Sequence, residues 1–84
     1  MHEKSAITYP VYLKNPDNTY YVVILSESEW VDFRKTGEKW LRTHTHVKTL
    51  SDRIYLQDIQ EAGYKKLTEE EWKDFYSNIH KKIF

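Results

Sequence analysis

The chain has no cysteine, only two glycines and two prolines, and no long apolar run. Each absence excludes something. Without cysteine there is no disulfide framework, no zinc–thiolate site and no thiol nucleophile. With Gly37 and Gly63 as the only glycines, no glycine-rich phosphate loop can be built. No serine sits in a nucleophile-elbow motif, so an enzyme is not expected. No segment approaches the roughly 20 apolar residues that span a bilayer, so no membrane association is expected. The opening residues, MHEKSAITYP, lack the apolar h-region of a signal peptide. A cytoplasmic protein is the resulting expectation, and the missing cysteines fit a reducing compartment.

What is present is aromatic. Three Trp, seven Tyr and three Phe in 84 residues give one small domain a way to bury area without disulfides. Tyrosine is also favoured on recognition surfaces, which makes Tyr20 and Tyr21 candidate binding residues. Formal net charge is zero but unevenly spread: residues 34–53 carry six basic residues against two acidic ones, between acidic flanks. That balance fits neither an acidic nucleic-acid mimic nor a general nucleic-acid-coating protein.

Along the chain, residues 7–15 alternate, with Ile7, Tyr9, Val11 and Leu13 on one side. That is a strand, and Pro10 places it at a sheet edge. Asn15 to Asn18 reads as a turn. Residues 19–25 form a second strand, with Tyr20, Val22 and Ile24 on one face and Tyr21, Val23 and Leu25 on the other. A strand apolar on both faces is buried on both, within the chain or in a homodimer. A helix is expected from Ser26 to a stop at Gly37. Residues 39–50 alternate again as a basic strand. Residues 53–58 are read as a strand, the alternative being a short helix capped by Ser51 and ending at Gly63. Trp72, Phe75, Tyr76, Ile79 and Ile83 make one helical stripe.

One phrase occurs twice: LSESEWVDF at 25–33 and LTEEEWKDF at 67–75. Leu–Ser/Thr–x–x–Glu–Trp supplies a hydrophobic staple and a capping box, so both copies are read as helix starts. Solvated first-turn glutamates are poor acid–base catalysts, and no catalysis is expected there. The resemblance extends to residues 11–33 against 54–75, which suggests an internal ββα duplication. The expected fold is therefore a single α+β domain over 1–84. Its order is β-β-α-β-β-(β)-α, with two helices on one face of a mainly antiparallel sheet.

The candidate functional surface lies between the two copies. Trp40, Arg42, His44, His46 and Lys48 share one side of the basic strand. Basic groups beside an aromatic can meet phosphates and stack a base, or pair with an acidic patch on another protein. His44 and His46 point the same way and could ligate a metal, but two imidazoles are short of the three protein ligands of a catalytic zinc, and no metal site or cofactor is assigned. The expectation is a non-enzymatic protein-binding module, an adaptor or inhibitor of a larger protein partner. A nucleic-acid-binding module using residues 39–53 is the alternative.

Overall fold

The computed structural model describes residues 8–83. Four strands come first: β1 (Val11–Lys14), β2 (Tyr20–Ser26), β3 (Glu29–Thr36) and β4 (Lys39–His46). They are followed by helix α1 (Leu50–Glu61), the short strand β5 (Lys65–Leu67), helix α2 (Glu69–Ile79) and a 3-10 turn at His80–Lys82. The five strands form one antiparallel sheet in the order β4-β3-β2-β1-β5, with β2 at its centre. The class is α+β, as the pattern of the sequence implies.

Alternation along β2 decides where everything else goes. On one face, Tyr20, Val22 and Ile24 cluster with Val11 and Leu13 of β1, Trp30 of β3, and Leu56 and Ile59 of α1. On the other, Val23 clusters with Val31, Phe33, Trp40 and Ile79, with Tyr21, Trp72 and Phe75 packed alongside. The helices thus lie on opposite faces, not on one. Each covers one side of a strand that is apolar on both.

Two expected elements differ. The helix foreseen from Ser26 is strand β3, paired along its whole length with β4 across the two residues Gly37 and Glu38. Gly37 has a φ of +69°, and glycine first in a two-residue hairpin turn suits the twist of the strands, so it turns a hairpin where a helix stop was expected. Residues 53–58 fall within α1, not a strand. Thr49, rather than Ser51, caps it, accepting from Asp52 N while Asp52 returns a bond to the Thr49 N–H. Gly63, with a φ of +78°, follows its last turn.

The doubled phrase explains the first difference. In the second copy, Phe75 is followed by Tyr76 and Ile79, so a helical stripe continues. In the first, the same offsets bring Arg34 and Gly37, and no stripe can form. Lys73 also gives the second copy a polar side where the first has Val31, whose burial completes a two-faced strand. Residues 11–33 are consequently three strands, and 54–75 are helix, strand and helix. The aligned segments do not share a ββα unit.

Pro10 lies just before β1, and β1 is an inner strand between β2 and β5, not an edge. Ile7, expected in that strand, lies outside the described residues. The turn at Asn15–Asn18 forms as expected: Asn15 Oδ1 accepts from the N–H groups of Thr19 and Tyr20, and Asn18 has a φ of +61°.

Thr68 does cap α2. Its hydroxyl accepts from Glu71 N at 3.0 Å, and Glu71 accepts from Thr68 N at 2.9 Å. That backbone N–H, aided by Lys65, holds the Glu71 carboxyl below its ordinary range. Ser26 Oγ accepts from Ser28 N at 3.2 Å and lies 3.4 Å from Ser28 Oγ, both at the β2–β3 turn. Thr68→Ala should therefore cost about 0.5–2 kcal/mol in urea unfolding, and Ser26→Ala less than about 0.5 kcal/mol.

Candidate functional site

The seven candidate binding residues divide into two sets. Tyr20, Tyr21 and Trp40 belong to the packing. Trp40 is 6% exposed and sits edge-on to Tyr21 and Phe75, at ring distances of 5.7 and 5.3 Å. Tyr21 stacks on Phe75 at 3.6 Å. Tyr20 is buried under α1. Trp40 is therefore not offered as a platform on which a base could stack. Arg42, His44, His46 and Lys48 are exposed.

Those four lie on or just beyond β4, which is an edge of the sheet. Only Trp40 of its eight residues is buried. Among the described residues, one bridge touches its free edge, where Ile83 pairs with Trp40 in parallel. Arg42 faces Phe33 in the register, His44 faces Val31 and His46 faces Glu29. These positions share the α2 side of the sheet, at the end farther from the hairpin turn.

The fold adds Glu29 to this face. Its Oε2 lies 2.6 Å from His44 Nε2 and 3.7 Å from His46 Nε2. The two imidazole centres are 4.7 Å apart. Sequence reasoning spent Glu29 on a capping box. The signal that could have placed it was the hairpin pattern of residues 30–41, two alternating runs joined through Gly37.

A second polar group lies under α1 and was not foreseen. Asp32 is 3% exposed in β3. Its Oδ2 accepts from Tyr20 OH at 3.0 Å and from Trp30 Nε1 at 3.4 Å, while Oδ1 has no hydrogen-bond partner. Arg34 Nη2 donates to Tyr55 OH at 2.9 Å, and Tyr55 OH lies 3.1 Å from Tyr20 OH. Because Tyr20 gives its proton to Asp32, Tyr55 must donate to Tyr20. The donors form one directed chain, Arg34 to Tyr55 to Tyr20 to Asp32, ending on a buried carboxylate. Burial, the bond to Tyr55 and the Asp32 charge all push the Tyr20 hydroxyl far above its ordinary pKa. The chain opens onto a recess lined by Thr19, Arg34, Lys35 and Tyr64. Its hydrogen bonds supply a buried carboxylate with donors.

No family model matches this chain, and neither a curated protein nor a solved structure matches it. Among the described residues, no helix is long and apolar enough to cross a membrane.

Tyr20→Phe leaves Asp32 with one weaker donor and should cost about 1–3 kcal/mol. The raised Tyr20 pKa also fixes the alkaline behaviour. Below about pH 10 both states keep the proton; above it only the unfolded chain releases it, so stability falls with rising pH, by up to about 1.4 kcal/mol per unit from this group. Urea melts between about pH 9 and 11 should show a shallower fall in Tyr20→Phe than in the parent.

Proposed function

We propose that this chain is a non-enzymatic protein-binding module and that β4 is its contact element. The observation that carries the reading is the state of that edge. An eight-residue strand stands at the margin of the sheet, and among the described residues only Trp40 of that strand is both buried and bridged on its outer edge. An unpaired edge is a template for an extended segment of another chain, and natural folds protect such edges unless they are used. Ile83 bridges the edge in parallel at Trp40, so a partner strand would lie along the residues beyond it, from Leu41 to His46.

Charge supplies the selectivity. Arg42 on the strand and Lys48 just after it are exposed, and Lys35 and Lys39 flank the hairpin turn. An acidic extended segment of a partner protein would pair its backbone with β4 and its carboxylates with these groups. Such rim charges mainly steer encounter and choose among partners. The nucleic-acid reading loses its stacking residue with the burial of Trp40.

The test is affinity capture from the native host with the parent chain and with the double variant Arg42→Glu/Lys48→Glu. Both residues are exposed, so the melting temperature should change little. The expected result is a protein partner retained by the parent and lost with the variant. Capture of nucleic acid in place of protein, released steeply as salt rises, would contradict the reading.

A further inference from the structure

We propose that Glu29, His44 and His46 bind a divalent transition-metal ion, with zinc the natural match to their donors. The inference stands apart from whatever β4 docks against, because it uses neither Arg42 nor Lys48.

Three observations carry it. The first is the donor set. Two imidazoles and a carboxylate are a recurring set of three protein ligands for zinc, and imidazole-rich sites favour zinc, copper, iron and nickel over calcium or magnesium. The second is convergence. One ligand atom from each of the three residues lies within 4.8 Å of the others. Donors of a tetrahedral zinc at 2.0–2.1 Å stand about 3.3 Å apart, so the separations of 2.6 and 3.7 Å from the carboxylate to the two imidazoles already bracket the requirement. The adjustment needed is side-chain rotation. The third is the platform. His44 and His46 are two apart on β4 and so project to the same side, and Glu29 is the direct register partner of His46 on β3. Two hydrogen-bonded strands hold all three ligands, which gives more precision than a loop would.

The same contacts describe what happens when metal is absent. His44 Nε2 and Glu29 Oε2 lie 2.6 Å apart and hydrogen-bond to each other. A metal ion would take the place of that hydrogen bond. All three side chains are partly open to solvent, so a bound ion would keep at least one position for water or an outside donor. The site also lies where β3 begins and β4 ends, beside the bond from Val47 N to Ser28 O at 2.7 Å. A metal there would tie the start of one strand to the end of the next.

The test is calorimetric titration of the purified chain with zinc, paired with thermal melts. The expected result is one zinc per chain and a melting temperature that rises with free zinc. His44→Ala, His46→Ala and Glu29→Gln should each weaken binding at least about 10-fold, the lower bound seen even when an outer-shell partner is disturbed. His80→Ala should bind as the parent does, since its Nδ1 faces Ser77 O at 3.0 Å on another part of the molecule. His2→Ala, at a position outside the described residues, should also bind normally. Three results would overturn the proposal: no binding at about 1 mM zinc, the weak end of the affinity scale; unchanged affinity in His44→Ala/His46→Ala; or loss only in His2→Ala. Circular dichroism of each metal-free variant separates loss of a ligand from loss of fold.

Discussion

The central strand β2 has to be covered twice. Val22 and Ile24 are wholly buried on one side of it, and Val23 is buried on the other. A single sheet with helices on one face would leave half of that apolar surface in water, at roughly 25 cal/mol for each Å². The chain answers with two amphipathic helices, α1 brought to one face directly after β4 through residues 47–49, and α2 to the other through the short strand β5. On the α2 side the rings of Tyr21, Trp40 and Phe75 pack against one another, with Phe33 and Trp72 beside them, and replace the disulfides that a domain of this size often needs.

Much of this could be read from the sequence. Strand β2, its two apolar faces, the alternation of β4 and the stripe of α2 were all visible as periodicity. The capping box at Thr68 was visible as four letters. What misled was the same four-letter grammar at Ser26, because a capping pattern reports a local opportunity and does not show whether an apolar stripe follows to use it. Arg34 and Gly37, at the places where Tyr76 and Ile79 continue the other copy, decide against a helix. Two further signals were legible and not used: Gly37 as a hairpin glycine, and Thr49 with Asp52 three residues on as a capping box. The candidate site was legible by half. The residues of β4 share a face as their spacing implies, but Glu29 joins them only because β3 is a strand. Asp32 and its chain of donors involve partners as far apart in sequence as Arg34 and Tyr55, and no local pattern brings those together.

Structure and proposed function meet at β4. The strands nearer the centre spend both faces on the core, and α1 and α2 are placed to cover them. At the margin, β4 contributes Trp40 inward, and among the described residues one bridge, from Ile83 to Trp40, touches its free edge. Arg42, His44 and His46 are exposed on that strand and Lys48 just beyond it; these are the residues to which the two proposals assign an acidic segment and a metal ion. The interior polar chain ending at Asp32 links β3 to Tyr20 of β2 and Tyr55 of α1. A buried carboxylate with one unpartnered oxygen is a costly way to do this, and only the ordered donation from Tyr20 and Trp30 makes it tolerable.

The most direct measurement of the account is a set of side-chain NOEs in the isotopically labelled chain. Cover of β2 on both sides predicts that the methyls of Val22 and Ile24 contact Leu56 and Ile59, while those of Val23 contact Ile79. The same pattern should hold at every protein concentration. Contacts from both helices to the same set of β2 side chains, or contacts to Val23 that appear only as concentration rises, would contradict it.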